Sequence, residues 1–420
     1  MGQADAVTPR AEILEGKTSP ASDIQMTVVE AWSIAKNLFV DPELNHADWD
    51  SLLRKTMAHV GTAATTDSAY AGIKAMLGNL GDPFTRFATP KEYESFRISN
   101  DGSLEGVGLM IASDPSTGSV VVLSPVEGGP AARAGIRKGD QLVKVDGLAL
   151  SGVKGEEVAQ KLRGKAGTTV RITIRRQGGE TEQDIETQLL RETIVFSPVF
   201  ATMLPPHLQR DGQLVHPAYI KLSSFSQNAS ADMHQAIDKM EEQGADEYIL
   251  DLRDNPGGLV RAGLDVADMW LDGSLIPRTI VHTINRAGET SPIETAAARP
   301  LTKDPLVVLV NNNSASASEI LAGALKDNAR AALVGQQTFG KGRIQSVFEL
   351  EDGSAMFVTV AKYLSPAYHA IDKIGIAPDV MCVPKMGDEA VSDPLTAEDP
   401  VRAIEQDSCV KAAERHLDGF

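Results

Sequence analysis

Hydrophobic residues in the first quarter of the chain recur every three or four positions, which is the period of an α-helix. Val28, Trp32 and Ala35 show this spacing, and the pattern continues over residues 49–60 and 68–80. Glycine and proline at residues 81–83 then end the pattern and begin a loop. The pattern therefore predicts a region of several helices near the start of the chain.

A different pattern begins near residue 106, where short runs of β-branched residues replace the helical spacing. The runs lie at residues 120–123, 142–145 and 170–174, and Gly/Pro breaks separate them. Two short helical stretches, at residues 130–134 and 155–162, interrupt the runs. These features predict a small domain made mainly of strands with two helices.

Strands and helices alternate over the second half of the chain. The predicted strands are residues 219–222, 248–252, 306–310, 332–334, 346–350 and 356–361, and the predicted helices are residues 229–243, 260–271 and 317–328. Alternation of this kind is typical of layered α/β architectures, whose ligand sites lie beyond the carboxyl ends of the strands. The loops at residues 253–258 and 311–316 occupy that position, so a functional site is expected there.

The patterns divide the 420 residues into five segments. Residues 1–22 are predicted to be a flexible arm, 23–103 a helical region, 104–191 the mainly β domain, 192–385 the α/β core and 386–420 a C-terminal segment that packs on the core. A chain of this length can bury at least one full hydrophobic core.

Charge and hydropathy exclude two classes of function. The chain has 40 Lys and Arg against 57 Asp and Glu, which gives a net charge of −17. An acidic protein without a basic block is poorly suited to nucleic-acid phosphates. The apolar run at residues 305–310 is far shorter than the ~20 residues that span a bilayer. We expect no nucleic-acid partner and no transmembrane segment.

Two cysteines and the N-terminus leave alternatives open. Cys382 and Cys409 have no zinc-site spacing, and they form either one disulfide or two free thiols. The first ten residues have neither a basic start nor an apolar stretch. The protein is therefore expected to be cytoplasmic or to be a mature form whose targeting segment has been removed.

Several kinds of catalytic motif are incomplete or missing in the sequence. Residues 335–342 nearly match a phosphate-binding loop, but Gly342 stands where a Ser or Thr would hold magnesium. A strand, not a helix, is predicted to follow that loop. No Gly-x-Ser-x-Gly and no His-Glu-x-x-His sequence occurs, and the eight histidines are scattered. We therefore expect no cofactor and no metal site.

A serine cluster and a lysine remain as candidates for catalysis. Ser314, Ser316 and Ser318 lie between a buried strand and a helix, where serine caps are common and where an oxyanion would be stabilised. Lys341 lies between two glycines, and a desolvated lysine loses its proton readily enough to activate a serine hydroxyl. Gln345, four residues later, could hold the amine. Spacing alone does not choose among the three serines or exclude a simple helix cap.

Several separated motifs resemble the carboxyl-terminal processing peptidases, the tail-specific serine proteases. They are residues 313–327, residues 338–342 with Gln345, residues 252–258 and residues 375–379, in that family's order. The resemblance extends from about residue 24 to residue 383. It implies an α/β peptidase core of the layered ClpP/crotonase-like kind, an N-terminal helical region and an inserted PDZ-like, β-rich domain.

The resemblance also implies roles for individual residues. Ser316 is the nucleophile, Lys341 is the general base, and Gln345 orients the lysine. The oxyanion hole consists of the backbone amides of Gly258 and Ala317. Ser314 and Ser318 are then neighbours of the nucleophile.

The PDZ-like domain has a candidate peptide-binding loop. Gly106, Val107, Gly108 and Leu109 stand at the position of the loop that captures a terminal carboxylate in PDZ modules, where the peptide adds as a strand. A glycine-bearing entry to a strand is the alternative interpretation. If the loop binds, the expected partner is a protein substrate with a free C-terminus.

Residues 82–87 are most similar to the photosynthetic branch of the family. That similarity implies that the substrate is the precursor of the photosystem II D-one protein and that the protein works in the chloroplast thylakoid lumen, with peripheral contact to the membrane. Tyr368-His369 and Pro256 depart from the family pattern near the cleft. The alternatives are a PDZ scaffold with an inactive peptidase-like domain and a tail-specific quality-control protease of a bacterial periplasm.

Overall fold

The computed structural model describes residues 20–63, 65–114, 117–178, 181–296, 299–383 and 399–419. Most of the predicted arm at residues 1–22 and part of the predicted C-terminal segment lie outside these residues. The chain forms two units. The first comprises residues up to 94 together with 284–290 and 343–362, and the second comprises 95–283, 291–342 and 363 onward.

The elements follow one another along the chain with these bounds. The N-terminal elements are α1 (Pro20–Leu38), a 3₁₀ turn (Leu44–His46), α2 (Trp49–Thr62), α3 (Thr66–Gly78), β1 (Arg86–Ala88) and α4 (Pro90–Asp101). The next are β2 (Ser103–Gly106), β3 (Leu109–Ser113), β4 (Val120–Pro125), α5 (Pro130–Arg133), β5 (Gln141–Val145), β6 (Leu148–Ala149), α6 (Gly155–Leu162), β7 (Thr169–Gly178), β8 (Thr181–Leu190) and β9 (Glu192–Val195).

The second half of the chain contains the remaining elements. They are β10 (Val199–Met203), β11 (His207–Leu208), β12 (Leu214–Val215), β13 (Pro217–Leu222), α7 (Ala229–Glu242), β14 (Glu247–Asp251), α8 (Val260–Trp270), β15 (Thr279–Ile284) and β16 (Thr290–Glu294). They continue with β17 (Leu306–Val310), α9 (Ala317–Asp327), β18 (Ala332–Gly335), β19 (Arg343–Glu349), β20 (Ala355–Leu364), β21 (Val380–Met381), α10 (Pro400–Gln406) and α11 (Ser408–Leu417).

In the first unit, helices pack on a small sheet. Strand β20 pairs antiparallel with β1 and with β19. Its buried side chains Met356 and Val358 join one core with Ala31, Ile73 and Leu77 of the helices. The predicted N-terminal helices are confirmed. Residues 343–362, which the alternation pattern placed in the α/β core, belong instead to this unit because their apolar face packs on the helices.

The β-rich part of the second unit is an antiparallel sheet with two helices. Its strand order is β3-β4-β5-β7-β8, with β6 paired to β5. Val122, Ile172 and Ile174 of the strands pack with Val158 and Leu162 of α6 in one core. Strand β3 is an edge strand of this sheet, so one of its sides pairs with no other strand of the sheet.

The α/β part of the second unit contains a six-stranded sheet in the order β10-β13-β14-β17-β18-β21. Five of its strands are parallel, namely β13, β14, β17, β18 and β21, and β10 is antiparallel to β13. Every residue of β13, β14 and β17 is buried, as expected for parallel strands with both faces covered. Because β14 and β17 are parallel neighbours, the loops that follow them meet at one edge of the sheet.

Helix α11 covers part of this sheet. Val410 and Ala413 of the helix pack with Tyr219, Ile249 and Leu309 of the strands. A disulfide joins Cys409 of α11 to Cys382, which decides between the two alternatives for the cysteines. Among the described residues, none of the helices has the length and apolarity that crossing a membrane requires.

Candidate active site

The loops after β14 and β17 are held together by hydrogen bonds from the serine-rich segment. Ala315 N–H donates to the Asn255 carbonyl at 3.0 Å, and the Asn255 side chain donates to the Leu222 carbonyl at 2.8 Å. Asn255 is fully buried. The two predicted site loops therefore contact each other directly at the carboxyl ends of the strands.

The three serines differ in geometry. The Ser314 hydroxyl donates to the Leu252 carbonyl at 2.8 Å, and the Ser318 hydroxyl donates to the Asn255 carbonyl at 2.9 Å. Both hydroxyls thus bind the neighbouring loop. Ser316 has φ 58° and ψ −115° and immediately precedes α9. A positive φ is strained for a residue with a β-carbon, and such strain concentrates at functional sites.

Glu319 connects the backbone of Ser316 to that of Lys341. Its Oε2 accepts the Ser316 N–H at 2.9 Å and the Lys341 N–H at 2.8 Å. Its Oε1 accepts the Thr338 hydroxyl at 2.6 Å and the Gly340 N–H at 2.7 Å. The carboxylate is fully buried, so these four bonds replace its hydration and fix two segments that are far apart in sequence.

Tyr363 contacts the same two residues from their carbonyl side. Its hydroxyl is 3.2 Å from the Ser316 carbonyl and also hydrogen-bonds to the Lys341 carbonyl. Burial, and then the charges of Glu319 and Asp372, raise the pKa of Tyr363 well above its usual range. The hydroxyl therefore keeps its proton and remains a donor. Ser316 and Lys341 are held together through both N–H and C=O groups.

Lys341 lies in a tight glycine turn. A β-carbon on Gly342 would lie 2.3 Å from the Asp372 nitrogen, and one on Gly340 would lie 2.9 Å from the Ile374 nitrogen. Only glycine permits this approach of two backbones. Lys341 itself is half-buried, so the turn sets its direction while the side chain stays partly accessible.

The predicted oxyanion donors are the N–H groups of Gly258 and Ala317. Gly257, just before the first of them, packs against Ser316. A β-carbon on Gly257 would lie 2.7 Å from the Ser316 Cβ and 3.0 Å from the Ala317 nitrogen. Gly258 follows directly, and Ala317 is the first residue of α9. An N–H at that position has no intrahelical acceptor. The glycine loop and the start of α9 therefore pack closely together beside Ser316. An oxyanion hole formed by Gly258 and Ala317 stays a prediction.

A buried ion network lies under the glycine loop. Asp251 accepts the Tyr219 hydroxyl at 2.6 Å and the Arg253 guanidinium at 2.6 Å, and Arg253 also donates to Asp407 at 2.7 Å. Burial by itself would raise the pKa of Asp251, but the charges of Arg253 and Lys221 outweigh it and hold that pKa well below its usual range. The end of β14 is thus fixed by paired charges.

The third predicted catalytic residue is Gln345. Gln345 is on β19 in the first unit, where its amide donates to the Thr359 hydroxyl at 3.2 Å. Its action on Lys341 remains a prediction.

The predicted peptide-binding loop joins β2 to β3. Gly106 ends β2 and Leu109 begins β3. Gly108 has φ 70°, and the Val107 carbonyl accepts the Ala131 N–H at 3.0 Å. The positive φ explains why glycine stands at position 108. Capture of a carboxylate by this loop stays a prediction.

Sequence reasoning missed three contributors to the site. Glu319 stands three residues after Ser316, and this spacing gives no sign of its bonds to residues 338–341. Asp251 lies inside the predicted strand at residues 248–252, and the strand pattern gives no sign of its ion pairs. Tyr363 carried no signal in the sequence.

Comparisons with known proteins agree on the family. The family model of Peptidase family S41 matches residues 216–382, and that of the PDZ domain matches residues 121–176. The chain is 54% identical over 403 residues to carboxyl-terminal-processing peptidase 3, chloroplastic, of Arabidopsis thaliana, covering 94% of this chain and 76% of the relative. It is 42% identical over 400 residues to a carboxyl-terminal-processing protease of Picosynechococcus, covering 92% and 93%.

A solved structure gives the same result. The photosystem II D1 C-terminal processing protease aligns with a TM-score of 0.54 at 38% sequence identity, covering 86% of this chain and 93% of that one.

Proposed function

This chain belongs to the carboxyl-terminal processing peptidases of family S41 and is a serine-type endopeptidase, and we propose that Ser316 is its nucleophile and Lys341 its general base. The observation that carries the proposal is the carboxylate of Glu319, which accepts the N–H groups of both residues. The hydroxyls of Ser314 and Ser318 are engaged by the neighbouring loop. This distribution of bonds favours Ser316 among the three serines.

The proposed reaction is acyl transfer. The neutral amine of Lys341 takes the proton of the Ser316 hydroxyl, and the oxygen attacks the scissile carbonyl. The N–H groups of Gly258 and Ala317 stabilise the oxyanion of the tetrahedral intermediate. The protonated lysine then gives its proton to the leaving amine, and water hydrolyses the acyl-enzyme by the same steps. Gln345 orients the lysine.

Substrate recognition is proposed to use the PDZ-like domain. Strand β3 is at the end of its sheet, so a peptide can add beside it as a further strand. Residues 106–109 precede β3 and would receive the terminal carboxylate. The substrate is then the C-terminal tail of a protein.

We further infer the substrate and the compartment. Relatives named as chloroplastic and a neighbour named as a D1 processing protease support the photosystem II D1 precursor as the substrate. The proposed location is the thylakoid lumen of a chloroplast or of a cyanobacterium, with peripheral contact to the membrane. The parallel sheet with helices also supports a ClpP/crotonase-like layered core.

The experiment is incubation with a precursor that has a C-terminal extension, followed by mass spectrometry of the products. Ser316→Ala is expected to abolish cleavage and to keep the circular dichroism spectrum and Tm of the wild type. Ser274→Ala, at an exposed serine, is the matched control and should cleave normally. Cleavage by Ser316→Ala would disprove the assignment.

The base is tested separately from the nucleophile. A base must be neutral, so the mechanism requires a pKa of Lys341 below the ~10.4 of model peptides and predicts activity that rises toward alkaline pH. Lys341→Arg should be as inactive as Lys341→Ala, because a guanidinium stays protonated. Lys239→Arg on the exposed face of α7 is the control. An active Lys341→Arg would show that only positive charge is needed.

Amidation of the substrate's C-terminus tests the PDZ-like loop. Hydrogen bonds to a charged group are worth roughly 1.5–3 kcal/mol, so the amide should be cleaved about tenfold to a hundredfold less efficiently. Equal values of kcat/KM for the acid and the amide would contradict recognition of the free carboxylate.

A further inference from the structure

We propose that His207, Glu247 and Asp418 form a binding site for a divalent transition-metal cation, with Zn²⁺ as the ion that best fits the ligands. These residues come from β11, from the first position of β14 and from the residue after α11. They are separate from Ser316 and Lys341, and the proposed function does not use them.

The first observation is the convergence of three potential ligands. One ligand atom from each residue lies within 4.8 Å of the other two. The His207 Nε2 and Asp418 Oδ1 atoms are 3.1 Å apart. With metal–ligand bonds of about 2.0–2.2 Å, ligand atoms of a tetrahedral zinc site lie about 3.3–3.5 Å apart. One pair already has nearly this spacing, and the third ligand needs a shift of about 1 Å.

The second observation is a buried oxygen without a hydrogen bond. Glu247 is 1% exposed. Its Oε1 accepts the Gln209 amide, whereas its Oε2 has no hydrogen-bond partner among the described residues. A buried carboxylate oxygen without a partner is costly. Coordination of a cation would supply the missing interaction.

The third observation is an excess of negative charge around one histidine. Glu247 and Asp418, with the nearby Asp246 and Glu414, place four carboxylates around the single imidazole of His207. The carboxylates therefore repel one another more than the single imidazole compensates. A divalent cation would neutralise two of these negative charges.

The ligand types favour zinc over calcium and magnesium. One imidazole and two carboxylates suit Zn²⁺ and related first-row ions, whereas Ca²⁺ and Mg²⁺ prefer oxygen ligands alone. Three protein ligands leave a fourth position for water. Since His207 and Asp418 already hydrogen-bond directly, the ion would replace that contact with two stronger bonds.

The expected consequence is attachment of the C-terminal helix. Asp418 caps the end of α11, and the ion would join that end to the start of β14 and to β11. The role is structural, so cleavage chemistry at Ser316 does not pass through the ion. Sequence analysis could not reveal the site, because His207 and Asp418 are 211 residues apart.

The test uses the full chain after treatment with a chelator. ZnCl₂ is titrated by calorimetry, and CoCl₂ is titrated by visible absorption, which reports coordination by nitrogen and oxygen ligands. One equivalent is expected to bind to the wild type and to raise Tm. Glu247→Gln and His207→Ala are expected to weaken Zn²⁺ binding at least tenfold and to remove the Tm shift.

His234→Ala is the control, because His234 also pairs with a carboxylate, Asp238 at 3.0 Å, but on an exposed helix face. It should bind like the wild type. Glu247→Gln preserves the shape of the side chain, and its circular dichroism spectrum checks the fold. Equal affinity of the wild type and Glu247→Gln, or no binding of either ion at micromolar concentration, would overturn the proposal. Neither outcome affects the assignment of Ser316.

Discussion

Strand β14 has a buried carboxylate at each end, and the two behave in opposite ways. Asp251, at the active-site end, is 0% exposed, and Glu247, four residues earlier, is 1% exposed. The cations Arg253 and Lys221 more than offset the burial of Asp251 and lower its pKa. Among the described residues no Lys or Arg pairs with Glu247 and, of the nearby charges, only that of His207 opposes the shift, so burial, reinforced by Asp418, raises its pKa. Equal burial thus gives opposite shifts, and the partner decides the sign.

Helix α11 connects these two ends. Asp407, just before the helix, accepts Arg253 at 2.7 Å, and Asp418, just after it, contacts His207 at 3.1 Å. The end near the catalytic loop is satisfied by protein groups alone. The far end has one more carboxylate than its histidine can pair. The difference shows that the neighbouring charges, and not burial alone, decide whether a buried carboxylate is satisfied.

The largest effect is expected from Asp251→Asn. Loss of one partner of a buried ion pair leaves the other charge uncompensated and costs about 3–5 kcal/mol. Denaturant unfolding measures this loss, and kcat/KM should fall as the loop before Gly258 loosens. Asp265→Asn is the matched control, because Asp265 pairs with Arg261 on an exposed helix face and should change stability by less than about 0.5 kcal/mol. Similar effects of the two variants would show that the network adds no more than a surface pair.

The second prediction concerns the disulfide that holds α11. Replacing Cys382 and Cys409 by serine opens a loop of 27 residues, which costs about 3–4 kcal/mol in the chain-entropy model. Since Cys409 is two residues from Asp407, the Arg253 end of the helix should loosen first. Hydrogen exchange would show this as faster exchange near residue 409 than near residue 417. Unchanged exchange in the oxidised and variant proteins would contradict the link between the helix and the network.

The central strands of the α/β sheet could be predicted from the sequence, whereas the contacts between buried polar groups could not. Strand β17 was predictable because a buried parallel strand appears as a continuous apolar run, and shorter apolar runs inside β13 and β14 predicted those strands. The family and its peptidase activity were identified from separated motifs. The bonds of Glu319 were not predictable, because a glutamate three residues after a serine looks the same whether it caps a helix or also binds residues 338–341.

The cluster at the other end of β14 illustrates a second limit. His207, Glu247 and Asp418 meet only through the fold, so no local spacing could indicate them. The sequence could not decide whether Cys382 and Cys409 form a disulfide, because the distance between them depends on how α11 lies on the sheet. Local patterns predicted the elements, whereas the charges buried between elements required the structure.

The third prediction is the pH dependence of the active-site end. The pKa of Asp251 is lowered in the folded protein, so its contribution is present above the unfolded value of about 3.9 and is lost as pH falls through the folded value. The stability gap between wild type and Asp251→Asn should therefore be full at pH 6 and narrow by about 2 kcal/mol in strong acid. Urea unfolding at several pH values measures the gap. A gap that widened in acid would contradict the lowered pKa.

The smallest effect is expected from Glu247→Gln in chelator-treated protein, and its sign is opposite to that of Asp251→Asn. The pKa of Glu247 is raised to about 7, so its protonated form favours folding, and that contribution is lost as pH rises through 7. At pH 5 the two proteins should be almost equally stable, since both side chains are neutral. At pH 8 the variant should be more stable by about 1 kcal/mol, because it avoids a buried charge. Denaturant midpoints at the two pH values measure the difference in stability between the two proteins.

If the wild type were the more stable protein at pH 8 without metal, a cationic partner would have to satisfy Glu247, and the contrast between the two ends of β14 would disappear.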